Sequence, residues 1–205
     1  MSLGARFFAA FYDRLMAPVE EKGMADRRAR LLGGLRGRVL EIGAGTGANL
    51  AAYGRGVEEL ILCEPDQAMA RKLDGKVEDP RVRVVPAPAE ALPLGDGQAD
   101  AVVATLVLCT VPSPAAALAE ARRVLKPGGR LVFIEHVRAE DPEAARWQDR
   151  LEPVQRFLGR GCHPNRDTLA ALESAGWTVE DLECAKMNGA PKYIRPLISG
   201  TAVAA

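Results

Sequence analysis

The chain has 205 residues, 48% hydrophobic and 26% charged, the proportions of one globular domain with a sizeable buried core. Its 27 basic and 27 acidic residues cancel, so no global field favours nucleic acid or an anionic membrane, and no nucleic-acid partner is expected. No apolar run approaches the ~18 residues of a membrane span and no leader pattern opens the chain. Two histidines and four scattered cysteines (Cys63, Cys109, Cys162, Cys184) show no zinc spacing, so reduced thiols, a cytoplasmic setting and no metal are expected.

In chain order, Phe8, Phe11, Tyr12 and Leu15 recur at helical spacing, with Arg6, Asp13 and Arg14 between them. This predicts an amphipathic helix packed on the domain as a lid. A membrane-surface helix would carry a richer basic face, although peripheral membrane contact is left open. A second helix is expected over 20–35, stopped by Gly33-Gly34. Strands are expected at 38–42, 59–64, 82–86, 99–106 and 130–135, with helices at 49–53, 67–73 and 115–125. The last is closed by Lys126-Pro127-Gly128-Gly129. Runs such as Ala101-Val102-Val103-Ala104 and Leu131-Val132-Phe133-Ile134 fit a parallel sheet covered on both faces. Helices follow at 142–158 and 167–175, and strands at 179–184 and 193–202 that pair antiparallel at the sheet edge. The expectation is a single α/β domain over 1–205: lid helices (1–36), a cofactor-binding core (37–136) and acceptor-side helices with the last two strands (137–205).

The richest segment is Val39-Leu40-Glu41-Ile42-Gly43-Ala44-Gly45-Thr46-Gly47, a strand running into a loop with glycine at alternate positions. Such loops let a ligand approach bare backbone. Glu64 ends the next apolar run about 20 residues on, the distance at which a nucleotide-binding α/β unit offers a carboxylate to ribose. Gly43-x-Gly45-x-x-Ala48 also satisfies a dinucleotide pattern, so the glycines alone do not separate ligands. Glu41 does. A carboxylate beside the loop would repel a pyrophosphate and suits a cationic ligand.

With those residues in hand, the chain resembles the class I S-adenosylmethionine-dependent methyltransferases. The glycine segment is similar to their motif I and Glu64-Pro65-Asp66 to their acidic residue after the second strand. Ala89-Glu90-Ala91-Leu92-Pro93-Leu94 is similar to the loop over adenine, and Arg123-Val124-Leu125-Lys126-Pro127-Gly128-Gly129 to the helix end before the fifth strand. Thr105 to Val111, Glu135 to Glu140, Gly161-Cys162 and Arg195-Pro196-x-Ile198-x-Gly200 resemble more narrowly the methyltransferase-like proteins that include alkyl-thiol S-methyltransferases. Phospholipid and quinone methyltransferases are similar less specifically. Pro88 stands where many members carry an adenine-binding Asp.

The resemblance implies a Rossmann-like, seven-stranded, mostly parallel sheet with helices on both faces and an antiparallel edge strand. It implies S-adenosyl-L-methionine as cofactor and a small-molecule methyl acceptor, with an alkyl thiol one candidate and a phospholipid or quinone the alternative. Gly43, Ala44, Gly45 and Gly47 would pass beneath the methionine moiety, with Glu41 near its positive end. Glu64 would accept from both ribose hydroxyls. Met69, or Pro65 and Asp66 beside it, would flank adenine, and the loop with Ala89 and Glu90 would cover it. Glu90 or backbone groups would meet its amino group, and Leu106 and Leu108 would border the reacting methyl. His136 is a candidate base for a thiol proton, and Cys109 is either an acceptor contact or core. His163 is expected to be structural, Cys162 no nucleophile, and Tyr12 chiefly a packing residue. Of other classes, a nicotinamide oxidoreductase is disfavoured by Glu41 and by the lack of Tyr-x-x-x-Lys. A cofactor-binding protein without catalysis stays open.

Overall fold

Continuous apolar runs become the strands of one sheet. The computed structural model describes residues 3–204, with the side chains of residues 3, 5 and 6 excepted, so the placing of Arg6 on the polar face of the lid lies outside the described residues. The strands are β1 (Gly37–Ile42), β2 (Val57–Cys63), β3 (Val82–Val85), β4 (Ala99–Thr105), β5 (Leu125–His136), β6 (Trp177–Lys186) and β7 (Pro196–Ala204). Their order across the sheet is β3-β2-β1-β4-β5-β7-β6. Pairing is parallel from β3 through β5, and β7 runs antiparallel to both neighbours.

The antiparallel strand is therefore the penultimate one, and β6 holds the edge. Burial explains the choice. Leu197, Ile198, Ser199 and Ala202 of β7 are buried, whereas most of β6 is exposed and carries Glu180, Asp181, Glu183 and Lys186. A charged strand at the edge discourages pairing with another chain.

Helices α1 (Leu3–Val19), α2 (Ala25–Leu32), α3 (Gln67–Asp74), α4 (Pro114–Val124), α5 (Pro142–Leu158) and α6 (Thr168–Ser174) cover the faces. Leu40, Ile42, Val102, Leu131 and Phe133 face one core, and Val39, Leu60, Leu62, Val103 and Val132 the other, which is the two-sided burial expected of such runs. Asp66, Ser113, Asp141 and Asp167 cap α3 to α6 by accepting from backbone N–H groups. The stop after α4 falls at Val124, before Lys126-Pro127-Gly128-Gly129.

Three elements differ from expectation. The 20–35 helix is not separate: α1 runs to Val19 and passes into a wide helical turn, Glu20–Met24, that bends at Gly23 (φ 116°) before α2. The chain breaks where glycine can take positive φ, not where the polarity pattern changes. Segment 49–53 makes only the 3₁₀ turn Leu50–Ala52, squeezed between Gly47 and Gly54. Residues 192–194 form another such turn, and β7 starts at Pro196.

One face of α1 packs on the domain: Phe8, Ala9 and Tyr12 meet Ala68 and Met69 of α3. Phe7, Phe11 and Leu15 on its other face are exposed. No helix among the described residues is long and apolar enough to cross a membrane.

Candidate active site

The glycine loop leaves the carboxyl end of β1, the sheet edge where ligands of open α/β folds bind. Gly43 and Gly45 both have positive φ (62° and 58°), for different reasons. A Cβ on Gly43 would stand 2.3 Å from Val107 Cγ2, so this glycine lets the loop after β4 press close. A Cβ on Gly45 would meet nothing nearer than Gly43 O at 4.0 Å. The space above Gly45 is an open cradle against bare backbone, and it fits the methionine end of a nucleoside cofactor. Ala44 is buried, its N–H bonded to Cys63 O, and Gly47 packs on Leu50 and Leu73.

Glu64, 7% exposed at the end of β2, accepts from Gly45 N and Asp66 N at 2.8 Å each. It ties the glycine loop to the start of α3. Burial pushes its carboxyl up, against the pull of the two N–H bonds. Pro65 beside it is exposed at the mouth, and Asp66 caps α3 and pairs with Arg160 at 2.5 Å.

Glu41 is buried and its oxygens already have partners inside the fold. Asn49 Nδ2 donates at 2.9 Å and Tyr53 Oη at 2.6 Å. Arg28 donates to Asn49 Oδ1 at 2.7 Å and to Glu20 through two nitrogens at 3.1 Å. Burial raises the Glu41 carboxyl, and Tyr53, Asn49 and Arg28 resist. Its hydrogen bonds are thus internal, and what it offers a ligand is field, not a free oxygen. Nothing in the sequence spacing marks Asn49 and Tyr53 as its partners, or Arg28 as the support behind Asn49.

After β4 the backbone turns sharply. Leu106 sits at φ 56°, a left-handed conformation that branched side chains avoid, and its N–H bonds Ile134 O at 2.7 Å. The next three N–H groups, of Val107, Leu108 and Cys109, all donate to the Glu135 carboxylate at 2.8–3.1 Å. Glu135 is fully buried, and burial drives its carboxyl well above the ordinary range. A carboxylate ending an apolar run is the pattern that singled out Glu64, and it marks Glu135 as well.

In the loop before β4, Ala89 is buried and Glu90 Oε1 accepts from Ser113 N at 3.2 Å, which joins this loop to the start of α4. Met69 lies under α1, in the cluster with Phe8 and Tyr12.

His136 ends β5, buried, with Nδ1 3.7 Å from Cys109 Sγ and 3.5 Å from Cys162 Sγ. The two sulfurs are 3.8 Å apart. Sequence spacing gave no sign of clustered ligands. The fold corrects this, because the loop after α5 folds over the loop after β4 and delivers Cys162. His163 N donates to Cys109 O at 2.8 Å, and Arg166 donates to Leu108 O and Val111 O at 2.7 and 2.8 Å. Hydrogen bonding to Cys162 and burial raise the Cys109 thiol, while the same contact lowers Cys162. Burial disfavours charge on His136, but Cys109 and Glu135 outweigh it and raise the imidazole. Tyr12 reaches down from α1, and burial pushes its phenol up to about 12, with Cys109 and Cys162 adding to the rise. His163 pairs with Glu152 at 2.7 Å, away from the cluster.

A methyltransferase-domain family profile matches residues 40–133, from β1 to β5. Thiol S-methyltransferase TMT1B of Homo sapiens is 36% identical over 191 residues, 85% of this chain and 78% of the relative. The chain belongs to this family of S-adenosylmethionine-dependent methyltransferases. The same-named protein of Rattus norvegicus is 40% identical over 152 residues, 71% of the chain and 62% of the relative. The fold matches geranyl diphosphate C-methyltransferase from Streptomyces coelicolor, solved with S-adenosyl-L-homocysteine, at a TM-score of 0.69 and 14% identity, covering 90% of this chain and 79% of that one. The cofactor of this methyltransferase is S-adenosylmethionine, and its sulfonium supplies the methyl group. The open backbone at Gly45 and the carboxylate of Glu64 are the features of the methyltransferase that suit it.

Proposed function

We propose that this methyltransferase transfers the methyl group to the sulfur of a small alkyl thiol, in a cytoplasmic setting. The observation that carries the reading is a buried histidine facing two sulfurs at the carboxyl ends of β4 and β5, beside the cofactor loop. The thiol S-methyltransferase activity of the relatives at 36–40% identity agrees with it. Glu64 would hold the ribose hydroxyls, exchanging bonds it now makes with Gly45 and Asp66. The backbone of Gly43, Ala44, Gly45 and Gly47 would run beneath the methionine, with Glu41 acting through its charge. Pro65, Ala89 and Glu90 would border the adenine. Leu106 would contact the reacting methyl, His136 would assist loss of the thiol proton, and Cys109 would line the acceptor site.

In-line displacement on a sulfonium gains most from positioning. The lid supplies this by covering the site with Tyr12. A thiol is half ionised near pH 8.5, so a buried site that favours its thiolate raises the nucleophile at neutral pH. The test is transfer of tritiated methyl from S-adenosylmethionine across a panel of alkyl thiols, phenols, amines, quinols and phospholipids. Label confined to the thiols is the expected result; label in any other class with none in the thiols would overturn the reading.

A further inference from the structure

We infer that Cys109, His136 and Cys162 form a three-ligand site for a thiophilic divalent cation of the zinc class, with an open fourth position that takes the acceptor sulfur as a thiolate. The identity of the fourth ligand rests on the thiol reading above; the cation site does not.

The mutual distances carry the argument. Zinc bound at about 2.3 Å to sulfur and about 2.0–2.1 Å to nitrogen sets tetrahedral edges of about 3.8 Å between two sulfurs and about 3.5–3.6 Å between sulfur and nitrogen. The three edges here are 3.8, 3.7 and 3.5 Å. Simple packing accounts for two sulfurs in contact. It does not account for one ring nitrogen within reach of both, when Nε2 of the same buried ring has no hydrogen-bond partner among the described residues. The ring is oriented through Nδ1 alone.

The ligand-bearing segments are also fastened together. Glu135 holds the backbone of residues 107–109, and His163 N and Arg166 clamp the Cys162 loop onto it. These bonds fix the backbone that carries Cys109 and Cys162, and His136 is fixed as the last residue of β5. Two thiols and an imidazole select zinc-class ions over magnesium or calcium. Among the described residues no fourth His, Cys, Asp or Glu joins the group, and three protein ligands with one open position describe a reactive site rather than a closed structural one.

A cation there would bind the thiol sulfur and release its proton to solvent, since coordinated thiols ionise readily. The sulfur lone pair then forms the new S–CH₃ bond as the sulfonium C–S bond breaks, and that electron pair stays on the sulfur of S-adenosylhomocysteine. The product thioether is neutral and leaves the cation.

The test is cobalt(II) titration of chelator-stripped protein. One cobalt per chain, with thiolate-to-cobalt charge-transfer absorption that shifts on adding ethanethiol, is expected. Cys109→Ser and Cys162→Ser should each weaken binding by at least about a hundredfold, because even outer partners of a metal ligand contribute roughly ten- to a hundredfold. Cys63→Ser, at a buried cysteine outside the group, should leave the spectrum unchanged, and S-adenosylmethionine binding by calorimetry confirms that each variant is folded. Failure to bind cobalt stoichiometrically, or undiminished binding in both serine variants, overturns the site, as does a Cys109–Cys162 disulfide found by mass in freshly purified chain. Full-rate thiol methylation by metal-free protein overturns the role of the cation and leaves the thiol reading intact. A cobalt spectrum lost in both variants but blind to ethanethiol, with no thiol methylated, overturns the thiol reading and leaves the cation site standing.

Discussion

Asp13 of the lid helix is hydrogen-bonded to the hydroxyl of Thr46 in the glycine loop, and Lys76 spans the pair, donating to Asp13 Oδ2 at 2.8 Å and to Thr46 O at 2.7 Å. This helix is therefore latched to the glycine loop. Asp13→Ala should speed S-adenosylmethionine release and raise its KM, with hydrogen exchange rising in α1. The loss of global stability should stay at about 1 kcal/mol or less, the range of an exposed ion pair. Burial works to raise the Asp13 carboxyl, but bonds from Lys76, Thr46 and Lys72 outweigh it and lower the pKa. The latch is then fully formed above the ordinary carboxylate range and is lost as pH falls through the depressed value. Unchanged release kinetics in the variant would dismiss the latch.

Glu64→Gln should weaken S-adenosylmethionine binding by roughly a hundredfold, since two charge-assisted bonds are at stake at about 1.5–3 kcal/mol each and the substitution keeps only neutral ones. Isothermal calorimetry reads this directly. Because burial raises the Glu64 carboxyl, affinity in the native protein should begin to fall at a pH above the ordinary glutamate range. Stability of the cofactor-free protein moves the other way: a raised folded pKa makes this group most favourable below its unfolded value, and that contribution fades as pH rises through the folded one.

Two glycines should separate folding from binding. Gly43→Ala drives a methyl into Val107, adding overpacking to left-handed strain, and should cost about 2–5 kcal/mol in urea melts. Gly45→Ala meets open space and should cost only the strain, about 1–2 kcal/mol, while filling the cradle and lowering cofactor affinity the more strongly of the two. Equal effects on both properties would contradict the cradle.

Glu135→Ala would leave the N–H groups of Val107, Leu108 and Cys109 buried without an acceptor. At about 1–3 kcal/mol for each orphaned group, a loss of about 3 kcal/mol or more is expected in chemical denaturation. Glu135→Gln, which keeps one acceptor oxygen, should fall between.

The sheet was legible because its evidence is local: apolar runs of strand length, glycines after β1, and Lys126-Pro127-Gly128-Gly129 after α4. Glu64 announced itself by the same logic. What could not be read depends on separation along the chain. Cys109 and Cys162 lie in loops and His136 at the end of β5, and their meeting requires β4 and β5 to be neighbours and the chain after α5 to fold back. Glu41 showed its charge but not its partners, because Asn49 and Tyr53 were assigned to a helix that the flanking glycines reduce to a single turn. The break between α1 and α2 was misplaced because polarity changes at Glu20, whereas the backbone bends at Gly23.

The reversed direction of β7 has a consequence for how this enzyme can diversify. Since β7 runs against its neighbours, Leu197 near its start pairs with His136 at the end of β5, and the 187–195 connection is carried to the reactive edge of the sheet. Tyr193 from that connection already meets Gln155 of α5 at 2.9 Å. The same connection also packs on the α1–α2 segment, where Met187 and Ala190 join Val19 and Met24, and Arg27 of α2 bonds Glu183 and Ser199 of the hairpin. Insertions or exchanges within 187–195 would therefore shift α5 and the α1–α2 segment together, so this return strand is a point from which both helical coverings of one sheet end can change at once.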